Sequence, residues 1–297
     1  TLVFCAPLLA LTGRLFSAAW RSGDNPLFRV LFAILLFYTS ALELLRFWDL
    51  SKRLYPGVLS LTAICFMTLL PVIYLRRVSA ISQTAHVVLC LLILATTFML
   101  LTVLPRLCLT NLQVNPLTLS DFSAAAKEQL VLYPEYLLPA FLPDQTKTPR
   151  HPLLRVAVSA LAFDVGIHFV LELFYGAALP LCVDPVHAVA RCGALSIFNR
   201  LESLQLILWA MAITLKLALY LYGISLLLIP DTKNATSVRL QSFPLYFAGL
   251  WLLCAFLHKT DLQAAMQTRS TLTWLLVLLV VMGGVASWLC KKLKRCF

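Results

Sequence analysis

The stretch LILWAMAITLKLALYLYG, residues 206–223, is apolar throughout except for Lys216. An apolar run of this length can form a helix across the hydrocarbon core of a bilayer, which is about 30 Å thick. A charged side chain in the middle of such a helix is costly in lipid, so it faces other helices or a water-filled cavity. The stretch therefore predicts a membrane protein in which this helix has an inward face.

The composition of the whole chain supports this interpretation. Of its 297 residues, 61% are hydrophobic and 12% are charged, and the mean hydropathy is +0.88. The apolar blocks are continuous, which favours helices because a helix satisfies its own backbone in lipid. The net charge of +11 lies in short loops and in the tail KKLKR, a pattern typical of topology signals and lipid contacts rather than of nucleic-acid binding.

A single transmembrane domain is predicted over residues 1–297. The first apolar run, before Arg14, is too short to span a bilayer and looks like the end of a helix whose start is missing. Further spans are expected at 27–45, 57–75, 85–104, 117–142, 153–180, 201–229, 242–258 and 271–290. Prolines in the loops between them suit helix ends.

The distribution of Lys and Arg predicts the orientation. If the connections alternate sides, the basic residues are more abundant on the side of the C-terminus, which is therefore expected to be cytoplasmic. Arg76 and Arg239 then lie inside, whereas Arg53 and Arg191 lie outside. This assignment requires the 117–142 stretch to cross the membrane.

One face of the 201–229 helix is polar, small or aromatic, and the opposite face is Leu and Ile. The residues that share the face of Lys216 are Glu202, Gln205, Trp209, Ala212, Tyr220 and Gly223. Glu202 lies about 21 Å along the axis from Lys216, too far to neutralise it. Lys216 therefore needs a carboxylate, a carbonyl or water from another helix. A structural role and a ligand-linked role for this lysine are equally compatible with the pattern.

The stretch KEQLVLYPEYLLPAFLP, residues 127–143, contains three prolines, and Glu135 follows the first of them. A helix must break here because proline lacks a backbone donor and clashes with the preceding turn. Transporters use such breaks to coordinate substrate midway across the bilayer. The alternative is an interfacial helix that runs into a proline-rich loop, with Glu135 in water.

Tyr38, Ser40 and Glu43 form a weaker polar cluster late in the 27–45 span. Cys182 and Cys192 share one loop, either as free thiols or as a disulfide, and their surroundings fit no standard metal-binding spacing.

Asp164, His168 and Glu172 are four residues apart along one slowly turning helical face. They are either inward-facing structural residues or a proton relay. The sequence has no nucleophile, catalytic dyad or metal motif that indicates an enzyme, and it predicts no cofactor.

Residues 198–222, FNRLESLQLILWAMAITLKLALYLY, resemble the B-subunit family of bacterial spore germination receptors. The matching positions are Arg200, Leu201, Glu202, Trp209, Lys216 and Tyr220. The break YPEYLLPAFLP, the LRR at 75–77 and the helix spacing resemble the same family over essentially the whole chain.

The family is similar to amino acid–polyamine–organocation (APC) permeases, and the resemblance implies their all-α helical bundle. That bundle has ten helices in two inverted five-helix repeats, with helices 1 and 6 broken at the binding site. Here the first helix is expected to be missing, which leaves about nine. Residues 1–104 would hold helices 2–5 and residues 117–290 helices 6–10, and 291–297 would form a basic cytoplasmic tail.

The resemblance also implies a function. Members of the family sense small nutrients, typically amino acids, together with A- and C-type receptor subunits in the inner membrane of dormant spores. An amino-acid/cation transporter of the APC type is the alternative, in the bacterial cell membrane.

The residues expected to contact the nutrient are Tyr133, Pro134, Glu135, Tyr136, Tyr38 and Trp209. Lys216, with Glu202 as a second intramembrane charge, is expected to occupy the role that a sodium ion plays between helices 1 and 8 of sodium-coupled relatives.

Overall fold

A computed structural model describes residues 26–57, 59–112, 152–182, 184–192, 202–228, 238, 241–260, 264–276 and 278. The α-helices in these ranges are α1 Pro26–Leu54, α2 Leu61–Leu69, α3 Val78–Val103, α4 Pro152–Tyr175, α5 Pro185–Cys192, α6 Glu202–Leu228, α7 Ser242–Leu257 and α8 264–276. Short 3₁₀ turns occur at Pro71–Ile73, Leu104–Arg106, Leu109–Asn111 and Gly176–Leu181. The expected all-α fold is confirmed for this part of the chain.

Three of the helical stretches are long and apolar enough to cross a membrane. They are Pro26–Leu54, Val78–Arg106 and Ser203–Leu228, and they coincide with the spans expected at 27–45, 85–104 and 201–229. The chain therefore has the helices of a membrane protein. The expected span 117–142 lies outside the described residues, as do residues 1–19.

The helix ends follow local sequence signals. α1 begins at Pro26. Proline is tolerated at this position because the backbone nitrogen of the first helical residue makes no hydrogen bond within the helix. Ser60 caps α2, because its Oγ accepts a hydrogen bond from the backbone nitrogen of Ala63 at 3.1 Å. α2 ends before Pro71, which opens a 3₁₀ turn, since proline cannot continue the helix.

α1 and α6 pack side by side in opposite directions. The Tyr55 hydroxyl donates to Ser203 Oγ at 3.3 Å near one end, and the rings of Phe47 and Trp209 meet edge to face one level deeper. A buried apolar cluster joins the other end of α1 to α6 through Phe28, Phe32, Leu35, Leu36, Tyr220 and Leu227. α1 and α6 are therefore antiparallel. This is the arrangement expected if successive spans cross the membrane in alternate directions.

α7 runs alongside α1 in the same direction. The rings of Phe37 and Tyr246 lie 5.6 Å apart. Those of Trp48 and His258 lie 4.4 Å apart near the C-terminal ends of the two helices. At the crossing, a Cβ on Gly249 would come within 3.1 Å of Phe37 Cζ. A residue without a side chain therefore allows the two helices to approach closely, as small residues do in other membrane bundles.

Two polar contacts mark opposite ends of the helix bundle. At the Arg53 end, Arg53 Nη1 pairs with Asp184 Oδ2 at 2.9 Å. At the Arg76 end, the backbone nitrogen of Val238 donates to the carbonyl of Arg76 at 2.9 Å. The charge distribution placed the segments around Arg53 and Arg191 on one side and those around Arg76 and Arg239 on the other, and these contacts agree with that grouping.

The described residues that flank 113–151 lie at opposite ends of α4. Asn111 Nδ2 donates to the carbonyl of Leu173 at 2.9 Å, close to the last residue of α4. The 24 residues of α4 put its start at Pro152 about 36 Å from its end. The described residues on either side of 113–151 are thus about 36 Å apart along the axis of α4.

Candidate functional site

Lys216 pairs with Glu43 between α1 and α6. Lys216 Nζ donates to Glu43 Oε1 at 2.8 Å, and the two side chains are 30% and 10% exposed. The midpoint of α6 is Leu215 and that of α1 is Ser40, so both charges lie within one turn of the middle of their helices. The required partner of Lys216 is therefore a carboxylate from another helix, and Glu43 supplies it.

Other groups partly enclose the side chain of Lys216. Its ammonium lies 5.8 Å from the centre of the Tyr220 ring, where a cation is attracted to the ring face. Ile213, Leu217 and Ala218 are buried at the same depth of α6. Solvent screens part of the attraction between Lys216 and Glu43 because Lys216 is 30% exposed, and the apolar neighbours strengthen the remainder.

Arg46 extends the charged cluster by one turn of α1. Its Nη1 lies 3.9 Å from Glu43 Oε1, and its Nη2 donates to Met266 Sδ of α8 at 3.1 Å. The charge count assigned Arg46 to the connection after the 27–45 span, whereas the structure places it within a helix. α1 continues to Leu54 rather than ending at 45, so Arg46 is only about 9 Å from the helix midpoint.

Arg269 was likewise expected in a loop before the 271–290 span, and it lies instead within α8, which has begun by residue 264. Its side chain is 1% exposed. Ala265 and Met266, at the start of the same helix, contact α1 through Tyr38 and Arg46. Arg269 is one turn beyond Ala265 on the same face of α8. Its guanidinium therefore lies on the side of α8 that faces α1.

The three residues of the predicted polar cluster, Tyr38, Ser40 and Glu43, contact three different helices. The Tyr38 hydroxyl donates to the carbonyl of Ala265 in α8 at 2.9 Å. Ser40 Oγ donates to its own helix at Leu36 and accepts from the Tyr246 hydroxyl of α7 at 3.1 Å. Only Glu43 reaches the Lys216 site, so the three residues do not form one site.

The other predicted ligand residue in the described part, Trp209, is half-buried on the Lys216 face of α6. Its ring packs against Phe47 with centroids 5.9 Å apart. Phe47 is one turn beyond Glu43 on α1, so the ring pair lies one turn from the carboxylate that binds Lys216. Trp209 lies about 10 Å along α6 from Lys216.

Cys182 and Cys192 are free thiols, and in the described ranges no three His, Cys, Asp or Glu side chains come together as metal ligands. On α4, His168 is exposed and Glu172 is half-buried.

Several predicted residues are outside what the structure describes. These are Tyr133, Pro134, Glu135, Tyr136, Arg200 and Leu201, together with the side chains of Asp164 and Glu202. Their predicted roles stay predictions. Comparison with known proteins finds no matching protein-family model, no matching curated protein and no matching solved structure.

Proposed function

We propose that this chain is the membrane subunit of a spore germinant receptor, which senses a small nutrient such as an amino acid and helps to trigger germination. A- and C-type receptor subunits would be its partners, and the spore inner membrane its location, with the C-terminus cytoplasmic. One observation carries the proposal. The helix with the family motif, α6, turns its Trp209–Lys216 face inward and holds an ion pair with Glu43 at mid-depth.

The fixed ion pair argues against sodium-coupled transport through this site. A sodium-coupled carrier binds its ion and releases it in every cycle. The Lys216 ammonium is tethered to α6 and neutralises Glu43 without leaving, so the site has a permanent cation. This supports the proposal that Lys216 takes the place of a coupling sodium ion.

The repeat architecture belongs to the same proposal. α1 would correspond to helix 3, α6 to helix 8 and α7 to helix 9 of an APC-like bundle whose two five-helix repeats are inverted. The antiparallel packing of α1 on α6 and the parallel packing of α1 with α7 are compatible with that correspondence.

Germination of spores that carry this gene tests the proposal. Deletion of the gene is expected to abolish the response to at least one amino acid of a full panel, measured as the loss of spore optical density. The wild-type gene should restore it, and so should the control variant Lys52→Ala, which changes an exposed lysine at the Arg53 end. Deletion spores that respond to every amino acid as wild type would overturn the proposal.

Uptake of radiolabelled amino acids separates sensing from transport. Vesicles that contain the full-length protein are expected to accumulate no label above vesicles without it. Robust accumulation would overturn the sensing proposal and favour the amino-acid/cation transporter.

A further inference from the structure

His86 and Cys90 lie four residues apart on one face of α3. Both side chains are exposed, and Cys90 is a free thiol. Residues at this spacing are neighbours on a helix surface, and in zinc-binding helices two ligands four residues apart hold the same ion. Imidazole and thiolate are both groups that zinc prefers. The face of α3 thus presents two zinc-type ligands side by side.

The ring of His86 has the orientation and protonation that a metal ligand needs. Its Nδ1 lies 2.7 Å from the backbone carbonyl oxygen of Ser82. A carbonyl only accepts hydrogen bonds, so Nδ1 carries the proton, and Nε2 of the neutral ring keeps its lone pair. Metal-binding histidines are commonly oriented by such a bond from the other ring nitrogen. The lone pair of Nε2 is therefore available at the surface of α3.

α3 is the least buried of the three long helices. Of its most apolar stretch 11% is buried, against 56% for α1 and 44% for α6. His86 lies in the first turn of the span expected at 85–104, and Cys90 lies about 6 Å deeper. Ionisable side chains within a span rarely face lipid. The exposure of His86 on this helix therefore favours a protein partner at the same depth.

We propose that two copies of this chain bind one zinc ion through His86 and Cys90 of each copy. Within the described ranges no third His, Cys, Asp or Glu joins this pair, so one copy supplies two ligands, whereas a structural zinc site takes four. Two copies in one membrane have the same orientation, and a two-fold axis along the membrane normal places the same residues of both copies at the same depth. Two imidazoles and two thiolates then complete a tetrahedral set.

The complete site is electrically neutral. Each Cys90 thiol releases its proton to water when it binds, because the thiolate is the metal ligand, and two thiolates balance the two charges of Zn²⁺. A neutral complex costs less to place between two helices than a free ion does. α3 has no Asp, Glu, Lys or Arg from Val78 to Val103, so no like charges on this helix oppose the approach of the copies.

Native mass spectrometry of the purified full chain, released from detergent micelles, tests the proposal. The probe is Zn²⁺ alone. The wild-type protein is expected as a dimer that carries one zinc ion, and removal of zinc with a chelator should return it to the monomer. With Co²⁺ in place of zinc, absorption from sulfur-to-cobalt charge transfer should report the thiolate ligands.

Variants of the two ligands and two matched controls assign the site. His86→Ala and Cys90→Ser are each expected to weaken zinc binding by about a hundredfold or more, because loss of an outer partner of a ligand already costs about 10–100-fold. Both positions are exposed, so the zinc-free variants should unfold at the same temperature as the zinc-free wild type. Cys108→Ser and His258→Ala change an exposed thiol and an exposed histidine on other segments. Both controls should bind zinc and dimerise as wild type does.

Cross-linking in native membranes gives a second readout. In a variant whose only cysteine is Cys90, diamide is expected to join two copies through a disulfide after zinc has been removed. The reagent takes up the two electrons and two protons that the thiols lose. Bound zinc should prevent the reaction because it occupies both thiolates. A variant whose only cysteine is Cys108 should not cross-link.

Four outcomes would overturn the proposal. These are a wild-type protein that binds no zinc, one zinc ion on a single chain, a dimer that does not respond to zinc, and zinc held equally by the ligand variants and the controls. The last result would indicate adventitious metal only. The sensing proposal does not use His86 or Cys90, so it stands or falls separately.

Discussion

The Lys216–Glu43 pair links α1 and α6 near the midpoints of both helices. Breaking a buried ion pair by removing one partner destabilises a protein by about 3–5 kcal/mol, because the other charge loses its partner in a poorly solvating environment. Lys216 is 30% exposed and Glu43 is 10% exposed, so part of that penalty is screened.

A double-mutant cycle on this pair tests its contribution. Glu43→Gln and Lys216→Met are each expected to lower the free energy of unfolding by about 1–3 kcal/mol, and the double variant should lose less than the sum of the two. The measurement is reversible unfolding in mixed micelles. Asp184→Asn, which breaks the exposed pair with Arg53, should cost no more than about 1 kcal/mol. Strictly additive losses at Glu43 and Lys216 would contradict the pairing.

The need of Lys216 for a partner on another helix was predictable, but the identity of the partner was not. A lone charge amid apolar residues indicates an inward face from the sequence alone. Which residue of α1 lies opposite depends on the register between two helices, which their packing determines. Arg46 was assigned to a connection because hydropathy does not show that α1 extends to Leu54, where the i,i+4 pair of Asp49 and Arg53 supports the last turns.

Close approach of α1 and α7 at Gly249 is the feature of the helix packing most sensitive to substitution. A Cβ at this position would already be 3.1 Å from Phe37 Cζ, and a branched side chain would push the helices apart. Gly249→Val is expected to lower the free energy of unfolding by about 1–3 kcal/mol through overpacking.

The matched control is Gly166 in α4, where a Cβ would meet nothing within 4 Å. Gly166→Val should therefore leave the thermal unfolding midpoint close to that of wild type. An equal loss in the two valine variants would show that helix propensity, rather than the contact with Phe37, determines the effect.

The long helices could be predicted from hydropathy because each carries a continuous apolar run. α1, α3 and α6 coincide with expected spans. The start of α8 could not be predicted in the same way. Residues 264–270 are largely polar or small, so hydropathy favoured a loop, whereas contacts of Ala265 and Met266 with α1 hold the segment in a helix.

At the scale of the whole molecule, the two ends of the bundle face different compartments in the predicted topology. The Arg53 end should be outside and the Arg76 end cytoplasmic, because basic residues are retained on the inner side. Lys52→Cys and Arg77→Cys, made separately in a cysteine-free variant, report on the two ends, and both wild-type residues are exposed. A membrane-impermeant maleimide is expected to label only Lys52→Cys in intact cells. Labelling of Arg77→Cys alone would reverse the topology.

The proposed sensing function requires that Lys216 contribute to the amino-acid response through its ion pair with Glu43. The most direct test is the amino-acid response of spores that carry Glu43→Lys, Lys216→Glu, or both substitutions. Each single variant places two like charges opposite each other, so each is expected to lose the response. The exchange variant restores opposite charges across the α1–α6 contact, and it is expected to recover a substantial part of the response. An exchange variant as inactive as the singles, or a Lys216→Ala variant with wild-type response and assembly, would contradict the account.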